Sequence, residues 1–582
     1  MASGNFSKKC ASQNTNPTFR QHRNDSVSTG GLTGIKLRAL GWRTMILSFH
    51  CSATKMKPVM RDVLRRRLHR HKRRGGANQA NGSDVVSTPE ATPTSLTNRD
   101  SSQAMKMPRQ RHLAPSGFYH LEHTAISECA CAGLACFAAR ADRPDLWQIA
   151  ATQTPALYCL GKCYDAPSDG MHDIRPHVGQ HASQPVLLGN VLRGGVRDLP
   201  TYRGDGAALE KARQMAPQAL VNMVEASRLR GRGGAAFPAG IKWQAVANAR
   251  AQTKYVVVNA DEGDPGAFSD RFLLEDDPFR VIEATAIAAH AVGARRGYIY
   301  IRKEYPEAVR VVSHALEQAR AAGWLGPTLE LELVVGQGAY ICGEETSLLN
   351  ALEGRRPEVR PRPPQISERG LFGAPTLVHN VETLCAIPWI VTHGAAAYAA
   401  LGFSNSRGTK LLSLNSLFRR PGLYEVEFGI SLADVVERLG QGLRRGKLKG
   451  LMVGGPLAGI VPPTLLDIRL GYEEMQSIDC AVGHGGVIAF ADDSSIPRIV
   501  AQVLRFGARE SCGKCTPCHL GVPVLAAMAD AAANRLPIDA DRFRRLIEAL
   551  EATSLCGHGR GLAEFVQSVR RHYPSELQAW CD

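Results

Sequence analysis

The chain has 582 residues, 44% hydrophobic and 21% charged, enough for roughly three or four domains and mostly globular. Its net charge of +16 sits almost wholly in residues 1–110, where 20 Lys+Arg face 5 Asp+Glu, so the other 472 residues carry +1 and charge gives no case for a nucleic-acid surface. Fifteen cysteines over this length exclude a secreted disulfide scaffold and fit a reducing compartment, and no window reaches the roughly 18 apolar residues of a membrane span.

Residues 1–110 read as a disordered basic extension. The first 74 are acid-poor and Ser/Thr-rich, ending in RDVLRRRLHRHKRR, and a polar linker, GGANQANGSDVVSTPEATPTSLTNRDSSQ, follows. Such composition suits an organellar transit peptide, a basic tail for nucleic acid or acidic lipid, or sequence upstream of a start at Met105 or Met107. The last reading is adopted, because nothing upstream has a packing pattern. Residues 111–196 form a small segment with Cys131-x4-Cys136 and Cys159-x3-Cys163.

Residues 197–404 alternate strand-like and helix-like runs. TKYVVVNADEG, GYIYIR and LELELVV read as buried strands, with EYPEAVRVVSHALEQARAAG and TSLLNALEG as helices. This alternation predicts an α/β domain with a largely parallel sheet and a ligand at the strands' carboxyl ends. In 405–495, GTKLLSLNS, RRPGLYEVEFG and SLADVVERLG predict short strands and one helix, a β-grasp-like module. Residues 496–582 are helical.

Four stretches carry chemistry. The Gly-rich loop RLRGRGGAAFPAGIKW brings Gly231, Gly233 and Phe237 ahead of Lys242; glycines let consecutive N–H groups approach an anion and Lys supplies charge, although a flexible turn has the same look. NADEGDPGAF places Asn259, Asp261 and Asp264 at a strand end, where they fit either a polar ligand or a solvated turn. YICGEET places Tyr340, Gly343, Glu344 and Glu345 at a helix start, where acids also complement the helix dipole. Cys512, Cys515 and Cys518, in the helical-looking ESCGKCTPCHLG, are answered by Cys556, the tetrathiolate set of a [4Fe–4S] cluster, with zinc as the rival.

These motifs, with GLFGAPTLVHNVETL, resemble in order and spacing the NADH-binding flavoprotein subunits: the 51-kDa subunit of respiratory complex I, the β subunit of soluble NAD-dependent formate dehydrogenases and the diaphorase subunit of NAD-reducing hydrogenases. The resemblance covers roughly 200–575. It implies a Rossmann-like FMN/NAD-binding α/β domain, a soluble-ligand-binding β-grasp module and a helical [4Fe–4S] domain. FMN is then expected on Gly231, Gly233, Lys242, Asn259, Asp261, Tyr340, Gly343, Glu344 and Asn380, and NAD(H) beside Phe237, Asp264 and Glu345, with Glu344 and Glu345 as the catalytic pair. Relative to the complex I form, Asp264 replaces Glu, while Ala245, Gln365 and His379 replace Phe, Phe and Asn.

The first four cysteines, Cys131, Cys136, Cys159 and Cys163, resemble the [2Fe–2S] motif of the thioredoxin-like 24-kDa partner, with a shorter gap between pairs; reduced core cysteines are the alternative. The resemblance thus implies a diaphorase subunit, foremost the formate dehydrogenase β subunit, with complex I and hydrogenase subunits as alternatives. A further alternative is an iron–sulfur relay with a decayed nucleotide site. The expected partners are a molybdenum-bearing large subunit and a [2Fe–2S] subunit, with no nucleic acid. The expected location is the bacterial cytoplasm, with membrane contact only through partners.

Overall fold

The computed structural model describes residues 119, 121, 124–202 and 206–580. The basic extension 1–110, with Met105 and Met107, lies outside these residues. The α/β unit is built on four strands whose largely apolar runs leave both faces to be covered. They are β2 (Tyr255–Ala260), β3 (Arg296–Ile301), β4 (Glu330–Val335) and β5 (Thr376–Asn380), all parallel in the order β4-β3-β2-β5. Helices Ser269–Asp276, Pro278–Val292, Pro306–Ala321 and Glu345–Leu352 connect them. Pro278 opens the second of these and Gly293, at φ 74, ends it, the asymmetry expected of a helix with Pro inside its start and Gly past its end. Because every strand runs the same way, Asn259, Ile301, Val335 and Asn380 finish along one edge, with Asn259 in register with Asn380.

The second sheet is mixed, ordered β1-β9-β8-β11-β10. Here β8 (Thr409–Leu414) pairs antiparallel with β9 (Gly422–Glu427) and parallel with β11 (Gly486–Ala491), which pairs antiparallel with β10 (Leu448–Val453). A two-stranded hairpin, β6 (Gly402–Phe403) with β7 (Ser406–Arg407), precedes it. The fifth strand, β1 (His177–Gln180), comes from the N-terminal cysteine segment and lies parallel to β9.

The segment expected to be thioredoxin-like is therefore continuous with this sheet. Among the described residues, 124–196 contain short helices, two isolated β-bridges and β1, and the segment lends that strand to the neighbouring sheet. The Glu425 carboxylate fastens it there, accepting from the N–H groups of Val186, Leu187 and Leu188. One hydrophobic core runs from the cysteine segment through both sheets to the C-terminal helices.

Those helices are Ile496–Arg509, Val522–Ala533, Ala540–Thr553 and Gly557–His572. The helix expected across ESCGKCTPCHLG is broken: the chain turns at Gly513, φ 80, and helical geometry resumes at Pro517. Among the described residues no helix is long and apolar enough to cross a membrane.

Candidate functional site

The Gly-rich loop closes on itself between two helices. Gly231 N–H donates to Phe237 O and Ala239 N–H to Leu229 O, each at 2.9 Å. Its anchor is Arg232, 1% exposed, whose guanidinium donates to the carbonyls of Arg230 (2.9 Å), Thr409 (3.0 Å) and Arg407 (2.6 Å) and to the hydroxyls of Tyr398 (2.9 Å) and Tyr472 (3.2 Å). In the sequence this residue looks like an ordinary charge in a glycine run. Gly233 is needed for closeness, since a Cβ there would stand 2.9 Å from Asn380 Cβ. Gly234 is needed for its φ of 115°. Phe237 projects from the loop, 46% exposed.

The strand ends face this loop. Asn259 Nδ2 donates to Gly343 O at 2.9 Å, and Asn259 Oδ1 accepts from Asp261 N–H at 3.2 Å. The Oδ2 of Asp261 is buried with no hydrogen-bond partner, and burial pushes its carboxyl well up. Such a group needs a polar partner. Gly343 keeps the space before it clear, since a Cβ there would lie 3.4 Å from Asp261 O and 3.8 Å from Oδ2. A ligand rich in hydroxyl donors, such as the ribityl chain of FMN, fits this cradle. Tyr340 O–H donates to Asp264 Oδ1 at 2.6 Å, and its N–H to Glu510 Oε2 at 3.0 Å, tying the cradle to the C-terminal helices.

Glu344 caps helix Glu345–Leu352, accepting from the N–H groups of Thr346 (3.0 Å) and Ser347 (2.9 Å). Glu345 lies between Lys242 (2.7 Å) and Arg362 (2.9 Å), and Arg362 also meets Glu344 at 2.9 Å. Burial opposes ionisation of Glu345, but Lys242 and Arg362 together hold its carboxyl below the usual range. Arg362, inside the proline-rich PRPPQ, gave no signal in the sequence. Asn380, expected as a flavin contact, makes these contacts within the protein. Its Oδ1 accepts from Thr383 N–H at 3.1 Å, capping helix Val381–His393, and its Nδ2 turns inward to Asp270 and to His484 Nε2 (3.0 Å).

The turn at Gly513 and the start of helix Gly557–His572 bring Cys512, Cys515, Cys518 and Cys556 into one electrostatic neighbourhood. Burial pushes the Cys518 thiol up to about 12 and Cys556 up to about 11, while the N–H groups of His558 and Gly559 donate to Cys556. Thiols so disposed ionise when a metal centre supplies positive charge. Tetrahedral zinc would draw its sulfurs to about 3.8 Å of one another, from Zn–S bonds of about 2.3 Å. Among the described residues, the three Cys, His or carboxylate ligand atoms mutually within 4.8 Å are those of Glu262, Asp270 and His484.

The N-terminal quartet is also brought together, as two buried pairs. Cys159 and Cys163 have sulfurs 3.8 Å apart. A hydrogen bond from Cys136, opposed by burial and helped by the N–H groups of Gly133, Leu160 and Cys159, lowers Cys131 to about 6. Cys163 likewise lowers Cys159, while Cys136 and Cys163 are raised. The short gap between pairs is filled by one helix, Pro144–Thr152. Tyr158 packs edge-on against Phe506 (5.2 Å between centroids), which packs against Tyr340 (4.9 Å).

Comparisons with known proteins agree with this arrangement. Residues 224–389 match the Nuo51 FMN-binding domain, and residues 498–580 match the NADH-ubiquinone oxidoreductase-F iron-sulfur binding region. The chain is 37% identical over 409 residues to the second F-type subunit of NADH-quinone oxidoreductase of Rhizobium meliloti (strain 1021), covering 68% of this chain and 97% of that protein. It is 39% identical over 384 residues to the NADP-reducing hydrogenase subunit HndC of Solidesulfovibrio fructosivorans, covering 64% and 78%. A chain of the NAD+-reducing [NiFe]-hydrogenase in its H2-reduced state superposes with a TM-score of 0.70 at 29% identity, over 80% of this chain and 86% of that one.

Proposed function

Because the chain belongs to the 51-kDa family of NADH-quinone oxidoreductase subunits, with FMN and a [4Fe–4S] cluster as its cofactors, we propose that it is the electron-exchange subunit of a larger redox complex. The observation that carries this reading is the buried, unpartnered Asp261 Oδ2, with no side chain at Gly343 to fill the space beside it, next to Tyr340, which Glu510 ties to the C-terminal helices. When bound, the flavin exchanges a hydride with nicotinamide and single electrons with a cluster.

The chain's own residues have separable tasks. Asn259, Asp261 and Gly343 receive the ribityl hydroxyls, and Gly231, Gly233 and Lys242 receive the phosphate side. Glu344 and Glu345, held by Lys242 and Arg362, face the ribose hydroxyls of NAD(H) and repel a 2′-phosphate. Phe237 and Asp264 flank the nicotinamide, and Tyr340 orients Asp264. The thiolates of Cys512, Cys515, Cys518 and Cys556 hold the [4Fe–4S] cluster. Those of Cys131, Cys136, Cys159 and Cys163 would hold a [2Fe–2S] cluster, supplying a second one-electron centre.

Within the family we read the chain as the β subunit of a soluble NAD-dependent formate dehydrogenase of the bacterial cytoplasm, reducing NAD with electrons from a molybdenum-bearing partner and joined by a [2Fe–2S] subunit. The fused N-terminal quartet supports this. The fold similarity to the NAD+-reducing hydrogenase favours a second reading, a hydrogenase diaphorase. Metal analysis of the complex purified on this chain separates them: molybdenum with formate-dependent NAD reduction supports the first, nickel with hydrogen-dependent reduction the second. Replacing Cys159 and Cys163 together by Ser removes about two irons per chain if the quartet holds its cluster; unchanged iron refutes that assignment.

A further inference from the structure

A buried ionisable group that none of the tasks above uses lies behind the Gly-rich loop. His484 Nδ1 is 3.2 Å from Glu262 Oε1, and His484 Nε2 is 3.1 Å from Asp270 Oδ2; all three side chains are buried. The lone pairs of Glu262 are already engaged. Its Oε1 accepts from Ser269 O–H (3.0 Å) and Asp270 N–H (3.0 Å), and its Oε2 from Arg271 N–H (3.1 Å) and Tyr305 O–H (3.0 Å). A metal ion would have to displace these donors, whereas a proton needs no such room.

The surrounding charges leave this group to titrate by itself. Lys410 and Glu382 form a buried pair that is neutral together, with Lys410 Nζ donating to His484 O at 3.0 Å. Arg302 donates to Glu262 O and is paired with Glu304 at 2.6 Å. The remaining nearby acid, Asp264, is hydrogen-bonded by Tyr340. Burial opposes a charged His484, but Asp270 and Glu262 hold its proton well above the usual imidazole range. Burial likewise pushes Asp270 up to about 6, against the pull of His484. Near neutral pH the trio therefore carries one net negative charge and is close to accepting a second proton.

Asn380 connects this group to the loop. Its Nδ2 and His484 Nε2 both converge on Asp270 Oδ2, and its Oδ1 is fixed by Thr383 N–H, so the amide cannot flip without losing a helix cap. Protonating Asp270 Oδ2 turns that oxygen into a donor and displaces one of the two converging N–H groups. The Asn380 amide is the one that abuts the ligand loop, at Gly233.

We propose that the Glu262–His484–Asp270 group takes up one proton from water as the adjacent flavin is reduced, with Asn380 passing the change between them. The hydride, which carries both electrons, comes from dihydronicotinamide as it becomes the nicotinamide cation, and the proton changes no oxidation state. His484 and Asp270 are positioning residues in this scheme, which rests on the flavin reading above.

The test is redox titration of the FMN-loaded full chain from pH 5.5 to 8, for wild type, Asp270→Asn and His484→Gln. The flavin equilibrium of wild type should vary more steeply with pH than that of either variant, by up to tenfold per pH unit, about 30 mV for a two-electron couple. Two variants are used because either one alone could lose flavin through misfolding. Equal slopes in wild type and whichever variant retains FMN overturn the proposal and leave the flavin reading standing. Failure of wild type to bind FMN overturns the flavin reading, and the proposal with it.

Discussion

His379 gives a quantitative test of how the flavin-side strand is held. It lies in β5 one residue before Asn380, which ends the strand, is 6% exposed, and its Nε2 accepts from Trp243 Nε1–H at 2.9 Å. Only a ring bare at Nε2 can accept there; a proton on it would set two N–H groups face to face. Burial, reinforced by the charge of Lys242, lowers the imidazole from 6.5 to about 3. A base depressed on folding contributes its stabilisation in full above the unfolded value, 6.5, and loses it as pH falls towards 3. At pH 4 the unfolded ring is protonated and the folded one is not, a loss of about 3 kcal/mol. His379→Asn supplies a carbonyl oxygen for Trp243 without a titrating group. The assay is amide exchange of β2 and β5, which reads the free energy of opening. The stability of wild type relative to the variant should be flat above pH 7 and fall by about 3 kcal/mol by pH 4. Parallel pH profiles would refute the reasoning.

Arg232→Met should strip donors from three buried carbonyls, at about 1–3 kcal/mol each, and lower the melting temperature of the FMN-loaded protein by at least about 3 °C; Arg232→Lys, lacking the fork, should recover only part, and a calorimetric scan decides. Gly233→Ala forces its Cβ to 2.9 Å from Asn380, so FMN affinity should fall about tenfold or more with the melting temperature of the flavin-free protein little changed, read by fluorescence titration. Glu345→Gln should raise KM for NADH and relax the preference over NADPH, because one of the two carboxylates facing the ribose is gone; an unchanged NADH/NADPH ratio would remove Glu345 from the nucleotide site.

What the sequence made legible follows from local physics. The apolar runs of β2, β3 and β4 and the helices between them can form little but a parallel sheet, and that topology puts Asn259, Asp261 and Tyr340 on one edge. The cysteine spacings are equally local. Arg362, Arg232 and His484 were missed for the opposite reason, because their roles come from partners far along the chain: His484 meets Glu262 across 222 positions, in no motif. The strand of the N-terminal segment gave no local signal because it finds a partner only in β9, whose sequence lies well over 200 residues further on. The break at Gly513 was hidden by helix-like flanks, where a positive φ costs glycine little.

The central claim is that nicotinamide, flavin and the C-terminal cysteine cluster form one electron path. It is tested most directly by adding NADH anaerobically to the FMN- and iron–sulfur-loaded chain, following flavin absorbance and the paramagnetic signal of a reduced cluster, in wild type and Cys556→Ser. The account predicts flavin bleaching in both and the [4Fe–4S] signal in wild type alone. A bound flavin that NADH does not bleach, or a [4Fe–4S] signal that survives loss of Cys556, would contradict it.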